Sequence, residues 1–249
     1  ANPSLKPWIS DNWDYQLSYY TSSGGKLAAS YFTKSVSNFQ ESVSYAAGTE
    51  GFSEVVSAIG LNPTEYDGWI VNTAYNGIGT ARVSGYELEV RQNLGQLPVV
   101  GAWGRHFNVF ANFTDKKRRQ TATNRLTARP AADRTAAAGV NANFASFSVL
   151  LKGTWSDVQL DPSGSQQTIS YAGTPYLLAT YLPATFKLDT NLSWQFLRHY
   201  GVFFSARNAL NRSNRKYRYD LQGMYPAYAR WDDIRRFGVQ MTFGLRGTF

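Results

Sequence analysis

The sequence predicts an all-β protein, an antiparallel transmembrane β-barrel segment of about nine long up-and-down strands. Three observations predict this fold class. Apolar and polar residues alternate over runs of about ten residues, the length that a tilted strand needs to cross a bilayer. Short turns and long polar loops alternate along the chain. Aromatic residues lie near the ends of the runs, where membrane barrels carry their interfacial girdles, and these are Trp13, Trp155, Trp194, Tyr200 and Phe249.

Taken in chain order, the runs place their apolar residues at every second position. The apolar residues are Trp13, Tyr15, Leu17 and Tyr19 in the first run; Tyr86, Leu88 and Val90; Phe107, Val109, Ala111 and Phe113; Phe147, Val149, Leu151 and Trp155; Phe186, Leu188, Leu192, Trp194 and Phe196; and Phe237, Val239, Met241, Phe243, Leu245 and Phe249 in the last. A helix would scatter these residues around its circumference, so the pattern predicts strands.

The connections between these runs fall into two classes. Short turns are predicted at Ser22–Gly25, Gly95–Gly104, Ala145–Ser146 and Arg198–Tyr200. Long polar loops are predicted at Phe39–Gly68, Lys116–Ala132, Gln159–Tyr176 and Arg212–Pro226. This layout is typical of an outer-membrane barrel, whose periplasmic turns are short and whose extracellular loops are long. The alternative is a soluble all-β module, such as a carbohydrate-binding sandwich, in which the apolar face of the last run would be buried within the protein.

Composition excludes several classes of protein. The 249 residues carry a net charge of +8, with no cysteine and two histidines, which excludes a disulfide scaffold, a Cys-ligated metal and a thiol nucleophile. We find no P-loop, no G-x-S-x-G elbow and no HExxH, so we predict neither an enzyme nor a cofactor or metal site. Nucleic-acid binding is disfavoured because the positive charge is largely confined to loops and no RNA-binding motif is present.

In a membrane barrel the apolar face of each strand meets lipid and the polar face lines the lumen. The residues predicted to face the lumen are Glu87, Glu89, Arg91, Lys187, Asp189 and Arg246. Two carboxylates on one strand could suggest acid–base chemistry, but ion pairs with neighbouring strands explain them better.

The basic residues are predicted to lie in the long loops, at the outward end of the strands. The candidate contacts are Lys116, Lys117, Arg118, Arg119, Arg125, Arg129, Arg212, Arg215, Lys216, Arg218 and Tyr219. Two interpretations stay open: solvated loops that contact lipopolysaccharide phosphates, or electrostatic capture of an anionic ligand.

Four segments are more specific than the alternation. They are Asn2-Pro-Ser-Leu-Lys-Pro followed by Ser10-Asp11-Asn12-Trp13; Ala81-Arg82-Val83-Ser84-Gly85-Tyr86-Glu87-Leu88-Glu89; Phe107 to Thr114; and Phe203 to Asn211, which reads Phe-Phe-Ser-Ala-Arg-Asn-Ala-Leu-Asn. In this order they resemble strand motifs of TonB-dependent outer-membrane receptors, and Ala209 departs mildly from the family pattern. The final strand from Gly238 to Phe249 resembles the signal that the outer-membrane barrel assembly machinery reads.

The resemblance implies that residues 1–249 are the C-terminal portion of a receptor barrel, without its plug domain. Barrels of this kind need roughly 22 strands, so about nine cannot close one. The chain is then a fragment or one part of a split receptor in the outer membrane of a Gram-negative bacterium. The implied function is import of a siderophore, vitamin or oligosaccharide with energy relayed from the inner membrane; a passive plugless channel is the alternative. The implied partners are outer-membrane lipid and lipopolysaccharide, the remaining strands and plug, the energy-coupling complex and the assembly machinery.

Overall fold

The structure is a computed structural model that describes residues 5–77, 79–97, 100–120, 132–161, 166–171, 173–220, 223 and 226–247. The strands are β1 (Ile9–Tyr20), β2 (Lys26–Ser37), β3 (Gln40–Ala46), β4 (Ile70–Asn76), β5 (Ala81–Asn93), β6 (Phe107–Gln120), β7 (Arg134–Phe144), β8 (Phe147–Ser156), β9 (Gln159–Leu160), β10 (Gln166–Tyr171), β11 (Thr174–Leu182), β12 (Thr185–Gln195), β13 (Tyr200–Arg207), β14 (Asn214–Asp220), β15 (Trp231–Arg235) and β16 (Gln240–Gly247). One α-helix, α1, spans Glu50–Ala58, and short 3-10 helices span Pro63–Glu65, Leu94–Gln96, Gly101–His106 and Ala227–Ala229. The described helices include none with the length and hydropathy of a membrane-spanning helix.

Nine strands form one sheet in the order β1-β2-β5-β6-β7-β8-β12-β13-β16. Short and long connections alternate between most strands that follow each other in this order, but the connections from β5 to β6 and from β6 to β7 are equal in length. Each pair with a described register is antiparallel. The predicted all-β antiparallel fold and the number of long strands are therefore confirmed.

The long connections carry strands of their own. Residues between β2 and β5 form the β3–β4 hairpin, with α1 between its strands. The connections after β8 and after β13 together form a five-stranded sheet of β9, β10, β11, β14 and β15, which we call the loop sheet. The sequence pattern predicts only polar loops for these segments, because their pairing joins separate connections.

Contacts divide the chain into two compact units. The first comprises the described residues within Ala1–Asp14, Phe32–Ser84 and Lys117–Thr127, and its core includes Phe39, Phe52 and Val56. Helix α1 supplies two of these residues, and it begins where the Thr49 hydroxyl accepts a hydrogen bond from the Phe52 amide.

The second unit comprises the described residues within Tyr15–Tyr31, Gly85–Lys116 and Ala128–Phe249. It contains β7, β8, β12, β13 and β16 in full, together with the loop sheet.

The apolar face of the nine-stranded sheet is exposed rather than buried in a core. Phe243 and Leu245 on β16 are 72% and 75% exposed, and Leu17 on β1 is 77% exposed. A soluble module would bury such side chains, because their transfer from water is its main source of stability. The soluble alternative required a buried apolar face on the last strand, and this requirement is not met.

Two predicted boundaries were wrong. The basic run Lys116–Arg119 does not lie in a loop, because β6 continues through it to Gln120. The last strand does not begin at Phe237, because Gly238 has a φ of 75° and β16 starts at Gln240. A left-handed residue breaks the extended conformation, so Phe237 and Val239 precede the strand. Phe249 lies outside the described residues.

Candidate functional site

The loop sheet brings together residues from two connections that are distant in sequence. β11 pairs with β14, which places Tyr181 opposite Tyr217 and Thr180 opposite Arg218. β14 pairs in turn with β15, which places Tyr217 opposite Trp231. Because side chains alternate between the faces of a strand, the tyrosines share one face and Lys216 and Arg218 share the other.

The face with Lys216 and Arg218 is held by ion pairs. The Lys216 ammonium contacts the carboxylate of Asp161, a residue that is only 5% exposed. Arg218 Nη2 lies 3.3 Å from Asp232 Oδ1. A buried carboxylate requires a charged or hydrogen-bonded partner, so Lys216 stabilises the loop sheet itself. Asp232 is exposed, so its ion pair with Arg218 contributes less.

The opposite face carries an aromatic and cationic surface. The rings of Tyr217 and Trp231 are tilted against each other with centroids 4.8 Å apart. The guanidinium carbon of Arg215 lies 5.6 Å from the Trp231 ring centroid, which is cation–π distance. Trp231 remains 49% exposed, so its ring keeps surface for a further contact. We call Arg215, Tyr217 and Trp231 the aromatic platform.

Next to the platform is a cavity of about 340 Å³ between the outer ends of β8 and β12 and strands β14 and β15. We call it the outer cavity. Its lining residues are Ser156, Asp157, Gln159, Leu182, Pro183, Thr185, Lys187, Asn214, Arg215, Lys216, Arg235 and Phe237. Four of these residues are basic and one is acidic, so the lining is strongly positive.

Asp157, the one acidic residue of the lining, is an ionised carboxylate whose charge is balanced by a neighbouring cation. The Val158 amide donates a hydrogen bond to its carboxylate at 2.8 Å, and Arg134 lies 2.6 Å from the other carboxylate oxygen. The Val158 hydrogen bond, followed by the Arg134 guanidinium, holds the pKa of Asp157 below its ordinary value. This carboxylate therefore stays ionised and paired with Arg134, and the lining keeps its excess of positive charge.

Two of the lining cations are also paired, and two are not. Lys216 contacts Asp161, and Arg235 Nε donates to Asp233 Oδ2 at 2.6 Å. Within the described part of the chain, no carboxylate lies within ion-pair distance of Lys187 or Arg215.

The candidate contacts predicted from the sequence are thus only partly brought together. Arg215 and Lys216 line the outer cavity, and Arg218 and Tyr219 lie on β14. The Arg212 amide donates to Asn208 Oδ1 at the start of this connection. The run Lys116, Lys117, Arg118 and Arg119 lies at the end of β6, and Arg125 and Arg129 lie outside the described residues.

The residues predicted to face the lumen follow strand parity. Glu87, Glu89 and Arg91 share a face of β5, where Glu89 also pairs with Lys26 Nζ at 2.7 Å. On β12, Asp189 accepts a hydrogen bond from the Asn208 amide at 2.9 Å. Arg246 lies on β16 opposite Gly201. Their lumenal orientation stays a prediction.

Sequence reasoning missed Trp231, Asp161 and Lys26 as partners in these clusters. Trp231 follows a stretch rich in Tyr and Arg, a composition that signals a contact surface, but its pairing with Tyr217 depends on register. Among the described residues there is no cluster of three or more His, Cys, Asp or Glu that could hold a metal ion. The outer cavity and the aromatic platform are suited to binding a ligand.

Nine long antiparallel strands with an exposed apolar face, and long connections that carry a basic cavity, define an integral outer-membrane β-barrel protein. A family model described as TonB dependent receptor-like, beta-barrel matches residues 1–209, and the chain belongs to this family. The resemblance to TonB-dependent receptors and the predicted outer-membrane location are confirmed.

Solved structures show the same fold at low sequence identity. The FrpB iron transporter from Neisseria meningitidis (F3-3 variant) is 16% identical with a TM-score of 0.59, and the match covers 97% of this chain and 31% of that one. The copper transporter OprC is 14% identical with a TM-score of 0.59, covering 99% of this chain and 32% of that one. The pyoverdine outer membrane receptor FpvA from Pseudomonas aeruginosa PAO1, bound to pyoverdine, is 15% identical with a TM-score of 0.59, covering 98% and 30%. No curated protein matches the sequence. The chain thus spans about a third of the length of the solved proteins it matches.

Proposed function

We propose that this chain is the C-terminal portion of a TonB-dependent receptor barrel that imports a scarce nutrient across the outer membrane. The single observation that carries the proposal is the family match over residues 1–209. The outer cavity and the aromatic platform support it, because they provide a place for a ligand at the end of the barrel with the long connections.

The class of nutrient is a proposal that rests on relatives as well as on this site. The similar solved proteins include an iron transporter, a copper transporter and a pyoverdine receptor. A siderophore-bound metal, a vitamin or an oligosaccharide is the ligand class we propose for this chain. We propose no enzymatic activity, in keeping with a family of receptors and transporters.

The remaining barrel strands and a plug are the first partners that the proposal requires. Within the described residues, β1 and β16 are the two edges of the nine-stranded sheet. Unpaired backbone groups are costly in lipid, so strands from outside this chain would pair with both edges. We further propose the inner-membrane energy-coupling complex, lipopolysaccharide and the barrel assembly machinery as partners.

The test uses cells that express the complete receptor carrying this chain. We expect the receptor in the outer-membrane fraction, in a heat-modifiable form on gels. We expect it to support uptake of at least one of three probes: radiolabelled ferric citrate, ferric 2,3-dihydroxybenzoate or cyanocobalamin. Uptake should stop when a protonophore discharges the inner membrane. Uptake that survives the protonophore would indicate a passive channel, and a soluble receptor would contradict the proposal altogether.

A further inference from the structure

The end of the nine-stranded sheet that lies away from the loop sheet combines exposed arginines with a row of aromatic side chains. We call this surface the inner rim, and its residues are Trp103, Arg105, Phe144, Phe147, Trp194 and Arg198. We propose that the inner rim binds anionic phospholipids of the periplasmic leaflet, with Arg105 and Arg198 at the phosphates and the aromatic side chains beside the acyl chains. This inference goes beyond the proposed import function, because it requires the barrel in its membrane but no transported ligand.

The register of the strands defines which connections form this end of the sheet. β6, β8 and β13 begin here, and β7 and β12 end here, because each described pair among them is antiparallel. The connections at this end are residues 94–106, 145–146 and 196–199, and two of these three have four residues or fewer. Periplasmic turns of outer-membrane barrels are short, which assigns this end to the periplasmic leaflet.

The charge at this end has a single sign. The three connections contain two arginines and two histidines, and no aspartate or glutamate. The side chains of Arg105 and Arg198 belong to exposed residues. Within the described part of the chain, no carboxylate lies within ion-pair distance of either arginine. Exposed cations without a neighbouring acid attract an anion from outside the chain, and a lipid phosphate is the anion found at this depth.

Arg105 is held in place by its neighbour His106. The Asn143 carbonyl oxygen can only accept, so His106 Nδ1 donates to it at 2.7 Å, and His106 Nε2 accepts from Arg105 Nε at 3.3 Å. The His106 ring also stacks on Phe144, with ring centroids 4.8 Å apart. Among the described contacts, these use only Nε of the guanidinium group. The two terminal nitrogens are therefore left for the oxygens of a phosphate, a geometry that suits arginine.

Aromatic side chains occupy the same end of the apolar face. Phe144 lies opposite Phe147, and Phe147 lies opposite Trp194, so the three form a row across β7, β8 and β12. The Trp103 ring packs edge-on against Phe144, with centroids 6.2 Å apart, and Trp103 remains 73% exposed. Tryptophan favours the depth of the headgroups because it combines an apolar ring with a polar N–H. The row is continuous with the lipid-facing surface, which favours a lipid over a soluble protein as its partner.

The experiment measures the lipid selectivity of the complete receptor in phosphatidylcholine vesicles. Electron paramagnetic resonance compares two lipids that carry a spin label on the acyl chain, anionic phosphatidylglycerol and zwitterionic phosphatidylcholine, and gives the ratio of their association constants. We expect a wild-type ratio above one that falls towards one as salt is raised.

Four variants separate charge, aromatic contact and fold. The first is Arg105→Gln with Arg198→Gln, and the second is Arg105→Lys with Arg198→Lys, which keeps both charges. The third is Trp103→Ala. The matched control is Arg207→Gln with Arg246→Gln, which removes the same charge from exposed arginines on the polar face of β13 and β16. Heat-modifiability on gels establishes that each variant is folded.

The double glutamine variant should lose at least half of the selectivity, since one arginine at a membrane surface contributes about fivefold at its own site. The double lysine variant should retain most of it, and the control should leave the ratio unchanged. Trp103→Ala should weaken association of both lipids equally, because the ring contacts the part that they share.

An unchanged ratio in the double glutamine variant, or an equal loss in the control, would overturn the proposal. An unchanged ratio together with lost protonophore-sensitive uptake would also overturn it, because the arginines would then contact a protein of the energy-coupling complex. A receptor that shows this lipid selectivity but takes up none of the nutrient probes would contradict the proposed function and leave the inner rim proposal intact.

Discussion

Gly139 on β7 shows how a single residue can hold an aromatic side chain flat against a sheet. A methyl group at this position would lie 2.5 Å from the Leu151 carbonyl oxygen and 2.5 Å from Phe110 Cζ. Phe110 lies on the polar face of β6, where the alternating pattern predicts a polar residue. The glycine removes the side chain that the ring would otherwise meet, so an aromatic residue fits on the polar face.

We therefore predict that Gly139→Ala destabilises the receptor by about 1–3 kcal/mol, because a backbone carbonyl cannot move away as a side chain can. The matched control is Gly153→Ala. There the methyl group meets only the Phe186 ring, at 2.9 Å, with the nearest backbone oxygen at 3.7 Å. The temperature at which the folded band disappears from gels measures both. An equal or larger loss in Gly153→Ala would contradict the steric explanation.

Asp157 is the residue whose charge state depends most directly on the geometry around the outer cavity. Its native pKa is lowered by the Val158 amide first and by Arg134 second. A carboxyl with a depressed native pKa stabilises the fold above its unfolded pKa, and this contribution is lost as the pH falls through the native value. The pairing of β7 with β8 at Arg134 should thus be indifferent to pH near neutrality and weaken only in acid.

Carbon-13 NMR of the Asp157 carboxyl, in the complete receptor in nanodiscs, measures this pKa. We expect a titration midpoint below the ordinary aspartate value. Arg134→Gln should raise the midpoint only part of the way, because the Val158 hydrogen bond remains. A wild-type midpoint at or above the ordinary value would refute the assignment.

At the scale of elements, the turn after β13 connects three parts of the second unit. Asn208 has a φ of 55°, and its side-chain amide donates to the Arg212 and Gly238 carbonyls at 2.9 and 3.1 Å. Its side-chain oxygen accepts from the Arg212 amide, and its own amide donates to Asp189 on β12. One asparagine thereby fixes the start of the loop sheet connection and the approach to β16.

We predict that Asn208→Ala is more destabilising than Asn208→Gly, by about 1 kcal/mol. Both variants lose the side-chain hydrogen bonds, but only glycine tolerates the left-handed backbone without cost. Heat-modifiability and limited proteolysis of the connection between β13 and β16 measure the difference. Asn211→Gly is the control, since Asn211 has a φ of 53° but no side-chain hydrogen bond among those described. If the two Asn208 variants are equally stable, the backbone argument is wrong.

The strands themselves illustrate what the sequence could and could not predict. The long strands were predictable because alternation with a period of two is local and each strand needs only its own pattern. The strands β11, β14 and β15 were not, because their pairing joins connections far apart in sequence. The basic run on β6 was assigned to a loop by its charge alone, but a polar strand face accepts lysine and arginine.

At the scale of the whole molecule, the structure separates basic residues that have a carboxylate partner from basic residues that could contact a ligand. The sequence predicted that the basic residues lie in the long loops at the outward end, either as solvated contacts to lipopolysaccharide or as a surface that captures an anionic ligand. In the described structure, Lys216 and Arg235 have carboxylate partners, whereas Lys187 and Arg215 have none within ion-pair distance. The sequence could predict that basic residues lie near the outer ends of the strands, but it could not predict which of them form ion pairs. An ion pair depends on the register of the strands and on the strands within the loops, and the alternating pattern specifies neither.

The orientation of the two sheet faces is the remaining prediction for the whole molecule. β16 offers a matched test, because Phe243 and Leu245 alternate with Thr242 and Arg246 and all four belong to one strand. The chain has no cysteine, so a single introduced cysteine within it is labelled without background from this segment. In the complete receptor in vesicles, Phe243→Cys and Leu245→Cys should react with a membrane-dissolved maleimide and not with a charged one. Thr242→Cys and Arg246→Cys should show the reverse, because a lumenal wall contacts water while the lipid face excludes it. Reaction of all four positions with the charged reagent would mean that the apolar face does not meet lipid, and that the assignment of Glu87, Glu89, Arg91, Lys187 and Asp189 to the lumen fails with it.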